Sequence, residues 1–374
     1  MRYWPVYGGG ETITVTLANE LINRGYDVHI AYEIENKIEP MPYEIDKRIK
    51  HYKTTTTEKY KINDIHLLNN YIKENQINFI INQWGSTNLC YKAKKGTTCK
   101  LITCWHLDLL REPLLNYSTK DRIKKHLGKL YLCYNIYKQK QNHINNYNLS
   151  DYYVFLSPSF VDDFYKQCIV NKNDVKIKAI SNPLTYKYNF NYEELYNKKK
   201  EVLFVGRFFN YHKRINLLLD IWKITNENEE LKEWILRLVG DGPDMNIIKQ
   251  YIKDKNIKNV SIEGYKNPKS YYEKASIFLM TSAFEGFGMT LVEAQQYGTV
   301  PIAMDSYSSL HDIIVNNYNG LIVKNNDIKD YSNKLKTLMT DNTFRNKLAI
   351  NAISSCNKFS VDTIVEKWEK IFKQ

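Results

Sequence analysis

Residues 275–304 read ASIFLMTSAFEGFGMTLVEAQQYGTVPIAM, and this stretch decides the fold. SIFLM is a short unbroken apolar run, the pattern of a strand buried on both faces. GMTLVEAQQY has helix-forming residues and is closed by Gly298, a C-terminal stop. TVPIAM is a second buried strand. Strand, loop, helix, strand is the repeating unit of a parallel sheet. The loop carries Glu285 and the helix Glu293, eight residues apart across Gly286, Phe287 and Gly288. Amides of residues 286–289 would cluster at the helix N-terminus, a natural anion site. Glu285 in the loop can accept from hydroxyls. Glu293 sits beside Leu291, Val292 and Ala294, where a carboxylate needs polar partners. On pattern alone, a capping Glu285 and a solvated Glu293 serve equally well.

The same alternation runs outward in both directions. Downstream of a polar, charged segment at 185–200, read as a linker, come EVLFVGRFF, KRINLLLDIWKIT, WILRLVGDGP, DMNIIKQYIKDKN, VSIEGY and PKSYYEKA. Upstream, GGGETITVTLANELINRGYDVHIAYE gives a helix with Val15, Leu17, Ala18, Leu21 and Ile22 at apolar spacing, a stop at Gly25 and a strand. INFIINQWG, CKLITCWHLD, DYYVFLSPS and KIKAISNPL add further short strands. The chain closes in helical patterns, the last VDTIVEKWEKIF. The expectation is two α/β halves. Loops 84–98 and 107–120 give no readable pattern. In open parallel sheets ligands sit beyond the carboxyl ends of the strands.

Arg207 directly follows the strand EVLFV, and Lys213 and Arg214 come soon after it. Cations there suit a phosphate, with a solvated surface pair as the bland alternative. The 374 residues carry 53 Lys and Arg against 41 Asp and Glu, a net charge of +12. That excess suits a phosphorylated small molecule, an anionic membrane surface or nucleic acid. The basic residues interleave with no nucleic-acid module, so nucleic acid is the weakest of the three. The six cysteines show no CxxC and no metal-ligand spacing, so free thiols in a reducing compartment are expected. No signal peptide or membrane span is evident, and a cytoplasmic protein is expected, associated with the inner face of the membrane. The focus of charge is 120–140, with Lys120, Arg122, Lys124, Lys125, Lys129, Lys138 and Lys140 interleaved with apolar residues at helical spacing. Such a helix can lie on anionic lipid or turn its apolar stripe to a core.

These motifs together resemble the retaining glycosyltransferases of family 4, which have the GT-B fold. The fingerprint is E-x7-E, here Glu285 to Glu293 within EGFGMTLVEA. VGR…KR, LVGDGP, VSIEGY and YGTVPIA stand around it in the family's order. The likeness covers roughly 200–374 well and the first half more loosely. It implies two Rossmann-like parallel-sheet domains facing across a cleft: 1–185 on the acceptor side, 186–357 binding the nucleotide sugar, and a terminal helix, 358–374, returning to the first domain. By that resemblance Arg207 and Lys213 hold the donor diphosphate, and Arg214 is a candidate to share the task. Glu285 binds the donor sugar and Glu293 the ribose, while the amides of Gly286, Phe287 and Gly288 help hold sugar and phosphate. Gly9 and Gly10 match the glycine loop that faces the diphosphate, and His106 matches a histidine near the donor sugar. A structural loop histidine is the alternative.

The implied reaction moves a hexose or N-acetylhexosamine from a nucleotide-diphosphate sugar, UDP-linked in preference to GDP-linked, to a glycan or lipid-linked acceptor. Such an acceptor would be a precursor of capsule or lipopolysaccharide. No D-x-D occurs, so no metal and no other cofactor is expected. A glycoside hydrolase using Glu285 and Glu293 as its acid and nucleophile is the alternative enzyme, and a diphosphate site argues against it. The family opens with a strand before the glycine loop. Here only MRYWPVY precedes Gly8, so either that strand is reduced or the native start lies upstream.

Overall fold

The computed structural model describes residues 3–5, 9–36, 44–54, 62–109, 122–168, 174–186 and 192–374. Of residues 62–63 and 122–130 only the backbone is described. Lys120 thus lies outside the described residues, as do the side chains of Arg122, Lys124, Lys125 and Lys129. The chain parts into two compact units, Met1–Thr185 with Val361–Gln374, and Tyr186–Ser360.

In the first unit β1 (Tyr3–Trp4), α1 (Gly9–Asn23), β2 (His29–Tyr32), β3 (Ile34–Glu35) and β4 (Lys50–Lys53) come first. They are followed by α2 (Ile62–Glu74), β5 (Phe79–Asn82), α3 (Thr87–Ala93), β6 (Lys100–Trp105), α4 (Arg122–Leu149), β7 (Tyr152–Phe155), α5 (Pro158–Cys168) and β8 (Ile177–Ala179). Every pairing is parallel. Strands β5, β6, β7 and β8 form one sheet in that order, β2 pairs with β4, and β1 with β3. Among the described residues the opening strand is Tyr3–Trp4. Strand β4 escapes a pattern reading, because KHYK is a polar edge with no buried residue.

Helix α1 buries the residues its spacing predicts, Val15, Leu17, Ala18, Leu21 and Ile22. Gly25, at φ +88°, reverses the chain and lets the Tyr26 amide donate to Leu21 O at 3.1 Å. The terminal helix Val361–Phe372 buries Ile364, Val365, Trp368 and Ile371 in one cluster with Leu17, Leu21, Ile102 and Val154. Arg24 fixes it, donating to Asp362 at 2.9 Å and Glu369 at 3.3 Å. That packing is why these last residues belong to the first unit.

The second unit holds β9 (Lys199–Val205), α6 (Asn210–Lys213), α7 (Ile215–Asn226), β10 (Ile235–Val239), α8 (Met245–Asp254), β11 (Val260–Gly264) and α9 (Lys269–Lys274). It continues with β12 (Ala275–Met280), α10 (Met289–Gln296), β13 (Val300–Asp305), α11 (Leu310–Ile313), β14 (Leu321–Lys324), α12 (Ile328–Thr340) and α13 (Asn342–Cys356). Its six parallel strands lie in the order β11-β10-β9-β12-β13-β14. Chain order reverses between β9 and β12, so the crevice at a topological switch point falls at the carboxyl ends of these two strands. All six residues of β12 are buried, as its unbroken apolar run requires. The segment read as a linker at 185–200 carries more structure than that. Tyr192–Asn197 forms a 3₁₀ turn with Leu195 buried, and Lys199 already opens β9. Phe359 packs edge-on against Phe287 at 5.3 Å, which keeps 357–359 with the second unit.

Candidate active site

Where β9 ends, Gly206 and Arg207 turn the chain toward α6. The neighbouring loop after β10 runs very close. A Cβ on Gly240, at φ +141°, would stand 1.9 Å from Gly206 O, and one on Gly242 would stand 2.5 Å from Phe208 O. The two glycines of LVGDGP are therefore steric necessities. They let Phe208 and Asp241 pair, amide to carbonyl, at 2.8 Å. Asp244 accepts from the Asn210 amide at 2.6 Å. Arg207 is left exposed at the rim, and its guanidinium has no partner among the described residues.

Lys213 ends α6 and points at Glu285, its Nζ 2.5 Å from Oε1, with side-chain exposures of 12% and 10%. His212 stacks on the Phe284 ring at 4.3 Å and pairs through Nε2 with Phe284 O at 2.7 Å. The same Nε2 lies 3.7 Å from Glu285 Oε2. Burial pushes the Glu285 carboxyl up, but the Lys213 charge and the His212 hydrogen bond outweigh it and hold the group well below the usual carboxylate range. Glu285 is thus an ionised, dehydrated acceptor beside a cation. His212 was not singled out in the sequence, where a histidine before Lys-Arg in a loop carries no periodic signal.

Arg214 does not share the site with Lys213. Its backbone is left-handed, at φ +49°, and its guanidinium is consumed by structure. It donates to Thr281 O at 2.5 Å, Ser282 O at 2.6 Å, and Asn325 and Asn326 at 2.8 Å each. The Thr281 hydroxyl donates back to Lys213 O at 3.0 Å. Arg214 therefore clamps the end of β12 to the end of α6 and so sets the place of Lys213.

Helix α10 begins at Met289. Gly288 precedes it at φ +94°, and a Cβ there would stand 3.0 Å from the Tyr307 hydroxyl. The Phe287 side chain is buried against Phe359, so Phe287 can offer a ligand only its amide. Among the described residues the amides of Gly286, Phe287, Gly288 and Met289 have no backbone acceptor, the condition that suits an anion. Gly288→Ala combines left-handed strain with a tight contact. It should cost about 1–2 kcal/mol of stability, read as a lowered Tm with an unchanged denaturant m-value.

Glu293, on the second turn of α10, accepts from the Tyr272 hydroxyl at 2.9 Å through Oε2. Tyr272 is wholly buried and stacks parallel to Tyr297 with ring centroids 6.0 Å apart. Burial, then the Glu293 charge, pushes its phenol well above the ordinary range, so it stays a donor. Glu293 does not face bulk solvent as a spare surface charge. It is oriented by a fixed partner that sequence spacing could not indicate, because Tyr272 belongs to α9, on the far side of β12.

In the first unit Gly9 and Gly10 are the first two residues of α1. Gly9 has open space where a Cβ would be, whereas a Cβ on Gly10 would stand 2.7 Å from Trp84 Cζ2. Trp84 stacks on His106, with centroids 4.2 Å apart. Burial pushes the His106 imidazole down to about 4, so it is neutral near pH 7. Among the described residues its Nε2 has no hydrogen-bond partner, and neither does Gln83 Oε1. Trp84 and Gln83 were invisible to sequence reading, because loop residues lack periodicity.

Residues 187–355 match the family described as glycosyl transferases group 1. Across nearly the whole chain the protein is similar to the GalNAc-alpha-(1->4)-GalNAc-alpha-(1->3)-diNAcBac-PP-undecaprenol alpha-1,4-N-acetyl-D-galactosaminyltransferase of Campylobacter jejuni. The two are 24% identical over 98% of this chain and 95% of the relative. Among solved structures, the lipopolysaccharide outer core galactosyltransferase WaaB superposes with a TM-score of 0.71 at 19% identity, covering 100% of this chain and 98% of that one. Anabaena Alr3699/HepE in complex with UDP and glucose gives 0.71 at 14% identity, over 98% and 96%. The fold is GT-B, with two Rossmann-like parallel-sheet units.

Proposed function

We propose that this protein, a glycosyltransferase whose second unit is of the group 1 kind, moves a hexose or N-acetylhexosamine from a UDP-sugar to a cell-surface glycan precursor. Transfer would retain the anomeric configuration and need no metal. The observation that carries the reading is the buried Lys213–Glu285 pair beside the open amides of α10, at the switch point of the sheet. Breaking the bond between the sugar's anomeric carbon and the β-phosphate oxygen leaves negative charge on the diphosphate. Lys213 and the amides of 286–289 are preorganised donors for that charge, and Arg207 would reach it from the rim. An ammonium has three N–H donors, so Lys213 can hold Glu285 and a phosphate oxygen together. Glu285 then accepts from donor-sugar hydroxyls and Glu293 from the ribose.

Two similarities support the donor and acceptor classes. The HepE structure holds UDP and glucose. The Campylobacter relative is named for an undecaprenol-diphosphate-linked acceptor. A hydrolase reading fits less well, because its general acid needs a carboxyl kept protonated by a raised pKa, and Glu285 is displaced the other way. A lipid-linked acceptor also gives α4 a role on the inner face of the membrane. Tyr131, Tyr134 and Tyr137 are exposed along it, as is Lys138, an aromatic and basic face suited to an anionic lipid interface. Among the described residues no helix is long and apolar enough to cross a membrane.

A thermal-shift panel tests the donor. UDP at about 100 times its Kd should stabilise the fold by about 2.7 kcal/mol, with GDP at equal concentration giving less. Transfer should persist in excess EDTA. Loss of activity restored by Mn²⁺ would overturn the metal-free reading, and GDP matching UDP would overturn the nucleotide assignment.

A further inference from the structure

Lys198 stands between the 3₁₀ turn Tyr192–Asn197 and β9, the first of three consecutive lysines. Lys199 and Lys200 are exposed, as lysines at a strand entry should be. Lys198 turns inward instead. Its Nζ donates to Tyr272 O at 2.7 Å and to Thr299 Oγ1 at 3.1 Å. Burial pushes its ammonium down to about 7, and the charges of Glu194 and Glu273 offset only part of that. A cation held by neutral oxygens in such a place costs free energy that an apolar side chain would not. The residue it holds is the one that orients Glu293. The Tyr272 carbonyl lies in the last turn of α9, beyond the reach of the helix's own amides. It accepts from the Thr299 hydroxyl at 2.6 Å as well as from Lys198. The Tyr272 amide donates to Pro268 O at 3.0 Å, its ring stacks on Tyr297, and its hydroxyl donates to Glu293 Oε2 at 2.9 Å.

We propose that Lys198 is a positioning residue for nucleotide binding: by clamping the Tyr272 main chain it sets where the Tyr272 hydroxyl holds the Glu293 carboxylate. The inference rests on the reading of Glu293 as the ribose contact. Lys198 acts through Tyr272 and not by touching the nucleotide. Its ammonium has three N–H donors, so it bonds Tyr272 O and Thr299 Oγ1 together. Thr299 accepts from Lys198 and keeps its own proton for Tyr272 O. The main chain of Tyr272 is thereby fixed at one end and its ring by stacking along its length. The phenol is a strut of constant length between that clamp and Glu293. Loosening the clamp lets the hydroxyl shift, and the carboxylate with it, while the charge of Glu293 is untouched.

The test is a double-mutant cycle on the full chain, read by calorimetry with UDP. Lys198→Met keeps most of the side chain's length and removes its donors. It should raise the UDP Kd by ~3-fold to ~10-fold, the size of one lost hydrogen bond. The donor KM should rise in step, with kcat at saturating donor within about twofold. In a Tyr272→Phe background the same substitution should change the UDP Kd by less than about twofold, because no phenol remains to be aimed. A lysine that only closes α9 would lower Tm and leave the UDP Kd where it is. That result would overturn the proposal, and so would an equal loss of affinity in both backgrounds. If Lys198→Met does not fold, Lys198→Gln, which keeps an amide donor of shorter reach, carries the same cycle. Glu293→Gln is measured beside them. An unchanged UDP Kd in that variant overturns the ribose reading and this inference together. A weakened one, with Lys198→Met unaffected, overturns this inference alone.

Discussion

Lys213→Ala is expected to lower turnover by roughly 10²–10³, the effect of removing one preorganised donor from developing charge. It should also lower stability, which separates it from its neighbour in the site. Lys213 and Glu285 are an almost fully buried pair 2.5 Å apart. Truncating one partner leaves the other charged and dehydrated, at a cost of about 3 kcal/mol or more. Arg207 is exposed. Arg207→Ala should therefore slow transfer while leaving Tm within about a degree, as for other surface changes. The pH dependence adds a sign. In the wild type the Glu285 carboxyl is depressed below its ordinary 4.5, so its stabilisation is present above that value and lost as pH falls beneath it. In Lys213→Ala burial dominates and raises the carboxyl, so that variant is destabilised as pH rises through 4.5. The Tm gap between the two proteins should close as pH is lowered from 7 toward 4. A constant gap, or an unchanged turnover, would remove Lys213 from both roles.

The fold was legible because buried parallel strands must be apolar on both faces. SIFLM, TVPIAM and LITC announce themselves by that constraint, and Gly25 and Gly298 by the left-handed conformation of a helix end. KHYK at β4 was not legible, since an edge strand needs no apolar residue. The site divides along the same line. Glu285, Lys213 and Arg207 lie near strand ends, where the chain pattern itself points. His212, Tyr272 and Trp84 act through contacts between elements distant in sequence, and no periodicity reports these. Arg214 shows the converse error. Its charge suggests phosphate, yet four oxygens of the protein already hold it.

The two glutamates of the E-x7-E spacing should fail differently when each is made an amide. Glu285→Gln removes the charge that pairs with Lys213 and replaces an acceptor for sugar hydroxyls with a weaker one. Hydrogen bonds to charged groups contribute about 1.5–3 kcal/mol, so sugar transfer should fall by ~10-fold to ~100-fold. UDP carries no donor sugar, and its Kd should stay within about twofold. Glu293→Gln keeps an oxygen for the Tyr272 hydroxyl, which donates to Oε2 at 2.9 Å, so the fold should survive. On the proposed assignment its loss falls on the ribose. UDP and the intact donor should weaken together, by ~10-fold or more in Kd. Tyr272→Phe sharpens the distinction. Without the phenol the Glu293 carboxylate loses its orientation but keeps its charge, so UDP binding should weaken by less than in Glu293→Gln. Calorimetry with UDP, beside turnover with the full donor, measures all three. Equal loss of UDP affinity in Glu285→Gln and Glu293→Gln would overturn the division of labour. Unaltered transfer in both would remove the pair from the donor site and leave Glu285 a structural partner of Lys213.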